Sequence, residues 1–93
     1  MEIEFDDEKR QRTLEYRDLD FADAASLFEG ITFTILDDRR DYGEERFQTI
    51  GLLGGGLVMV VWTPRGGARR IISMRKCNAR EQSKFGELLD RSG

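Results

Sequence analysis

The run Leu57-Val58-Met59-Val60-Val61-Trp62 constrains this chain more than any other stretch. A strand with one face in water alternates polar and apolar residues, whereas an unbroken apolar run marks a strand covered on both faces. Glycine-rich turns bound it. Gly54-Gly55-Gly56 supplies the permissive backbone of a hairpin before it, and Pro64-Arg65-Gly66-Gly67 makes a turn after it. In a chain of 93 residues this strand has to be the spine of one sheet, and the other elements take their places around it.

Arg46 to Leu53 and Arg69 to Met74 read as its two neighbours, the latter carrying Ile71 and Ile72. Ile31, Phe33 and Ile35 alternate with Thr32 and Thr34, the period of a half-buried strand, and Asp37 to Gly43 is a polar loop. Upstream, Glu2-Ile3-Glu4-Phe5 is a short strand that ends at Asp6, a good N-cap for a helix from Asp7 to about Tyr16. That helix is charged, with only Leu14 and Tyr16 to lean on the core. Asp20 caps a second helix in which Phe21, Ala24, Ala25 and Phe28 recur at helical spacing beside Leu27, and Gly30 stands where a left-handed residue ends it. Asn78-Ala79-Arg80-Glu81 resembles a capping box, so a third helix opens there with a stripe of Phe85, Leu88 and Leu89. The expected fold is α+β: a short N-terminal strand and two helices, a four-stranded antiparallel meander and a C-terminal helix, in one domain spanning residues 1–93.

A chain of this size hides only roughly 60% of its unfolded surface, so an active site is expected as a surface groove. Histidine is absent and Cys77 is the sole cysteine, which removes zinc ligation, histidine acid–base chemistry and an internal disulfide; no cofactor is expected. Arginines near Cys77 are expected to lower its pKa, but it has no histidine partner for a nucleophilic role. The acidic N-terminus is unlike a signal peptide and no run is long enough to span a membrane, so the expected location is the cytoplasm. Net charge is −3, unevenly spread: residues 1–45 hold 15 acids and 6 bases, residues 46–93 hold 3 acids and 9 bases. Such a division produces either facing halves or a cationic surface suited to a polyanion.

The cations concentrate on the last strand and its exit: Arg69, Arg70, Arg75, Lys76 and Arg80, with Arg65 in the turn before. Strict alternation points Arg69, Ile71, Ser73 and Arg75 one way and Arg70, Ile72, Met74 and Lys76 the other. The N-terminus of the third helix adds free N–H groups, a setting for phosphate. A carboxylate beside arginines can take the proton of a ribose 2′-OH while the arginines stabilise charge on the phosphate, a scheme that needs no metal. Glu45 is the preferred base, since Glu81 is better read as closing the capping box. Tyr42 is a stacking candidate, whereas Trp62 reads as core.

These residues resemble the BrnT family, ribonuclease toxins of bacterial type II toxin–antitoxin systems. The resemblance rests on Tyr42-Gly43-Glu44-Glu45-Arg46-Phe47 followed by Gly51, and on Arg70-Ile71-Ile72-Ser73-Met74-Arg75-Lys76 followed by Arg80-Glu81. Phe5-Asp6, Lys9, Leu14, Phe21 and Ala24 add spacing support. It implies a RelE-like fold, endoribonuclease activity, and neutralisation by a BrnA-like antitoxin through which alone the complex reaches operator DNA. Where the family has Trp, Asn and Lys-His-Gly, this chain has Phe5, Thr13 and Tyr16-Arg17-Asp18; Arg17 replaces the charge of the histidine but not its acid–base role near neutral pH.

The leading expectation is therefore a metal-independent endoribonuclease toxin with catalytic residues Glu45, Arg70, Arg75, Lys76 and Arg80, and RNA contacts from Lys9, Tyr42, Arg46, Arg65 and Arg69. Two alternatives stand beside it. One is a catalytically silent module that binds an antitoxin-like partner in a DNA-binding repressor complex; the other is RNA binding without cleavage.

Overall fold

Five strands form one mixed sheet in the order β1-β5-β4-β3-β2. The structure, a computed structural model, describes residues 2–92, with side chains described through residue 88. Strand β1 (Glu2–Glu4) leads to helix α1 (Asp7–Arg17), a 3-10 turn (Phe21–Asp23) and helix α2 (Ala24–Glu29). Strands β2 (Thr32–Leu36), β3 (Phe47–Leu53), β4 (Gly56–Arg65) and β5 (Ala68–Lys76) follow, then helix α3 (Ala79–Ser92). The expected α+β order is the observed one: β2 to β5 are an antiparallel meander, and β1 joins β5 in parallel.

Strand β4 is the spine, as its composition requires. Val58, Val60 and Trp62 face one core with Phe21, Ala24, Leu27, Ile71 and Met74, while Met59 joins Ile50, Cys77 and Phe85 on the other side. The α1–α2 layer covers the first face and α3 part of the second. Trp62 is core, as expected; its Nε1 donates to Thr49 Oγ1 at 2.8 Å and its ring meets Phe28 edge-on. Gly54 and Gly55 take φ +60° and +83°, the backbone that the tight β3–β4 hairpin demands. At Gly51 an added Cβ would lie 3.0 Å from Leu27 Cγ and 3.1 Å from Thr32 Cγ2, so a side chain there would crowd both.

Several local expectations change. Asp20 caps the 3-10 turn, accepting from Ala22 N, and the helix proper begins only at Ala24. Leu27 and Ala24 carry its buried face and Ala25 is exposed, because the turn before it rotates the face presented to the sheet. Gly30 is extended (φ −89°, ψ −167°) and feeds directly towards β2, so no left-handed residue ends α2. Pro64 and Arg65 continue β4, and Gly66-Gly67 alone make the turn. The β2 strand excludes Ile31, which is exposed. Leu88 packs with Phe33 and Leu57 against the second core, whereas the side chain of Leu89 lies outside the described residues.

One irregularity reorders the cations. Val61 pairs with Ser73 and Trp62 with Ile71, which leaves Ile72 as an extra residue in β5. Such a bulge shifts the alternation of side chains by one. Ile71 and Met74 consequently share the first core although strict alternation would oppose them, and Arg75, paired with Met59, lies on the second face. The expected opposition of Arg70 and Arg75 therefore does not hold: both lie on the face away from Ile71 and Met74.

Candidate functional site

Helix α1 buries none of its residues, so polar ties hold it in place. Asp6 Oδ1 accepts from Glu8 N at 2.8 Å and Lys9 N at 3.4 Å, capping the first turn. Arg10 gives Nε and Nη2 to the Asp20 carboxylate at 2.8 and 3.0 Å; that pairing holds the Asp20 carboxyl below the usual carboxylate range. At the other end Arg17 Nη1 donates to the Met74 carbonyl at 2.8 Å, anchoring the last turn to β5. Asp18 follows in the left-handed conformation, φ 56°, with its N–H donating to Leu14 O.

A helix held by its ends leaves room beneath it. Between α1 and β5 lies a groove of about 330 Å³, lined by Lys9, Arg12, Thr13, Tyr16, Arg17, Phe21, Ile72 and Ser73. The five α1 residues are spaced i, i+3, i+4, i+7 and i+8, so they form one face of the helix. Three of them are cations, and among the described residues no carboxylate lines the groove. Lys9 and Arg12 make no ion pair among the described residues. Phe21 and Ile72 are its apolar lining residues, and Thr13 and Ser73 complete it.

Tyr16 was expected to lean on the core. Instead it is 83% exposed, because its position in the helical period falls at the mouth of the groove. Spacing alone carried the signal for this site: residues 9, 12, 13, 16 and 17 recur as an amphipathic helix would, but with cations and hydroxyls in place of the apolar stripe. Of the residues expected from sequence to contact RNA, only Lys9 lines it; Arg12, Tyr16 and Ser73 are additions.

The other expected site residues are dispersed, and most of their charges are engaged. Arg75 gives both terminal nitrogens to Glu81 at 2.7 Å, and Glu81 completes the capping box, accepting from Asn78 N while its own N–H donates to Asn78 Oδ1. With the Arg75 guanidinium and the Asn78 N–H on it, the Glu81 carboxyl is pulled down to about 2. It is too weak a base for proton abstraction near neutral pH, which agrees with its capping role. Arg70 lies 3.5 Å from Glu4, and Arg65 and Arg46 both approach Glu44, at 3.8 and 3.2 Å. Arg69 stacks 4.1 Å from the Phe28 ring centre and 5.1 Å from Trp62, its buried Nε lacking a partner. Lys76 and Arg80 are exposed and enter no ion pair among the described residues.

Glu45 and Tyr42 line a second depression with Asp37, Asp38, Arg40, Asp41, Glu44 and Arg46, apart from the α1 groove. Arg46 covers the Tyr42 ring at 4.0 Å, so one ring face is already occupied. Cys77 is buried and its thiol is pushed up by desolvation, with Glu81 adding to the effect; the expected lowering by arginine is the smaller influence because Arg75 is neutralised by Glu81. Among the described residues no helix is long and apolar enough to cross a membrane, and no carboxylate or thiol cluster is arranged to hold a metal ion.

No curated protein matches the chain. A family model does: the one described as ribonuclease toxin, BrnT, of type II toxin–antitoxin system matches residues 5–81, a segment that contains every residue lining the α1–β5 groove.

Proposed function

Because the chain belongs to the BrnT family of ribonuclease toxins of type II toxin–antitoxin systems, we propose that the groove between α1 and β5 is where RNA is cleaved, and that cleavage needs no metal ion. The observation that carries this reading is the single helix face bearing Lys9, Arg12 and Arg17 over Ser73 with no carboxylate among the lining residues. Lys9 and Arg12 are the cations free to meet a phosphodiester; Arg17, tied to Met74 O, sets the position of the helix end.

In the proposed reaction the ribose 2′-oxygen attacks the adjacent phosphorus. The O2′–P bond forms and the P–O5′ bond breaks, leaving a 2′,3′-cyclic phosphate and a 5′-hydroxyl. The 2′-OH proton leaves to solvent and the departing 5′-oxygen takes one up, since no carboxylate lines the groove among the described residues. Negative charge grows on the phosphoryl oxygens, and Lys9 and Arg12 stabilise it; one donor aimed at such charge contributes on the order of 10²–10³ in rate. The same cations occupy the role a divalent ion would play at the phosphate and would repel one, because hard cations seek anionic oxygen donors. Lys76, three residues beyond Ser73 on β5, and Arg80 in the first turn of α3 extend the contacts to the RNA backbone. Glu45, Arg70 and Arg75 are placed outside the reacting centre by this reading.

In a type II system the toxin has a protein antitoxin as partner. In the proposal this antitoxin is BrnA-like and carries the complex to operator DNA, which the toxin itself does not contact.

The test is cleavage of an end-labelled single-stranded RNA in excess EDTA by the wild type and by Lys9→Ala/Arg12→Ala. The expected result is cleavage by the wild type to cyclic-phosphate ends and a loss of about 100-fold or more in the variant, with circular dichroism showing both folded. Cleavage restored only by Mg²⁺ would overturn metal independence; equal cleavage by the variant would remove the groove from the chemistry. A folded wild type that binds RNA without cleaving it would favour the reading of RNA binding without cleavage, and one that does neither would favour the silent module that binds an antitoxin-like partner.

A further inference from the structure

We propose that Tyr16 is a base-stacking residue, and that the groove takes one unpaired nucleotide with its base on the Tyr16 ring and its flanking phosphate on Lys9 and Arg12. The inference rests on the reading of the groove given above and adds what that reading leaves open, the part of the substrate other than phosphate.

The two tyrosines make the case by contrast. The Tyr42 ring is covered by Arg46 at 4.0 Å and flanked by Arg40 at 5.9 Å, so its faces are engaged within the protein. Tyr16 is 83% exposed and makes no ring or cation contact among the described residues. Single exposed apolar residues are ordinary on a protein surface, Leu36 and Leu52 among them here, so exposure alone assigns Tyr16 no role. Its position does: one turn from Thr13 and Arg12 and two from Lys9, on the rim of a groove whose apolar lining residues are Phe21 and Ile72. Cations bind the backbone without regard to base, whereas a flat ring beside them adds affinity for any exposed base face. The apolar lining favours a base over a second phosphate, and the groove's volume, about 330 Å³, is at the small end of ligand pockets, enough for a single nucleotide. A paired base has both faces stacked in its helix, so this geometry selects single-stranded RNA.

Equilibrium binding of a 2′-O-methyl oligoribonucleotide carrying 2-aminopurine tests the inference, because the probe is not cleaved and its fluorescence is quenched on stacking. Wild type and Tyr16→Phe are expected to bind alike and to quench; Tyr16→Ala is expected to bind about fivefold or more weakly with the quench reduced. The same oligonucleotide annealed to its complement is expected to bind the wild type more weakly than the single strand. Exposure of Tyr16 makes its substitution harmless to folding, which thermal melting checks. Wild-type affinity and quench in Tyr16→Ala would overturn the inference, as would a Tyr16→Phe as weak as Tyr16→Ala, which would assign the effect to the hydroxyl. If Lys9→Ala/Arg12→Ala loses binding while Tyr16→Ala does not, stacking falls and the groove stands; if neither variant loses binding, both readings fall.

Discussion

The β5–α3 corner and the α1 face each gather arginine and lysine, but they differ in what their charges do. At the corner, Arg75 is clamped by Glu81 at 2.7 Å through both terminal nitrogens, beside Lys76 and Arg80, which enter no ion pair among the described residues; away from the corner, Arg70, Arg65 and Arg46 each have a carboxylate within 4 Å. On α1, Lys9 and Arg12 face a groove that no carboxylate lines among the described residues. A phosphate meeting Arg75 has to compete with a carboxylate already bound, while one meeting Lys9 or Arg12 displaces none among the described residues. Counting cations along a chain finds the first region; the helix face that Lys9 and Arg12 share and the groove beside it find the second.

The largest expected effect breaks or keeps that contrast. Arg75→Ala removes the partner that holds Glu81, leaves a partly buried carboxylate, and frees the first turn of α3, so stability is expected to fall. Arg75 is more than a third exposed, and with that screening the loss is put at about 1–2 kcal/mol, a melting point lower by roughly 5–15 °C. Cleavage per folded molecule is expected to stay within about threefold of wild type. Arg12→Ala is expected to do the reverse, with stability changed by less than about 0.5 kcal/mol and cleavage sharply reduced. Should Arg75→Ala melt as the wild type does yet lose cleavage, the corner is the reacting centre and the contrast fails.

A smaller effect follows from pH. Glu81 has its carboxyl pulled from 4.5 to about 2 by Arg75 and the Asn78 N–H. A folded-state pKa below the unfolded one means that the contribution to stability is whole above about pH 5 and is lost as the pH falls from 4.5 towards 2. Glu81→Gln keeps a hydrogen-bonding group of the same shape but no charge. Denaturant titrations are expected to show it less stable than wild type by about 1 kcal/mol at pH 7, with the difference shrinking between pH 5 and pH 2. A pH-independent difference would mean that the pair contributes through shape alone.

What was legible in the sequence was local or periodic. The β4 spine follows from an unbroken apolar run, the hairpin from consecutive glycines, and the Asn78–Glu81 box from four adjacent residues. The errors share a cause of another kind. The bulge at Ile72 is a relation between β4 and β5, so no pattern within β5 alone reveals that Arg70 and Arg75 come to one face. Likewise Arg70 meets Glu4 only because β1 runs parallel to β5, a pairing across most of the chain. Gly30 suited a left-handed end, yet the short path into β2 needs it extended. The groove was half visible: a helical period was present in Lys9, Arg12, Thr13, Tyr16 and Arg17, but a search for apolar stripes passes over a cationic one.

The smallest effect is the most direct measure of the difference. Binding of single-stranded RNA weakens with salt in proportion to the phosphates neutralised, with a slope of about −0.7 per contact on logarithmic axes. A cation that is bare in the free protein and meets a phosphate in the complex contributes fully to that slope. One that leaves a carboxylate to meet a phosphate releases counterions on one side and exposes an anion that recruits them on the other, so its contribution largely cancels. Arg12→Ala and Lys9→Ala are each expected to reduce the slope by about 0.7, measured by titrating RNA at several salt concentrations, and Arg70→Ala, paired with Glu4 in the free protein, to leave it nearly unchanged. Equal reductions in Arg70→Ala and Arg12→Ala would mean that the Glu4 pair opens at no cost when RNA arrives, and that both regions lie under the bound strand.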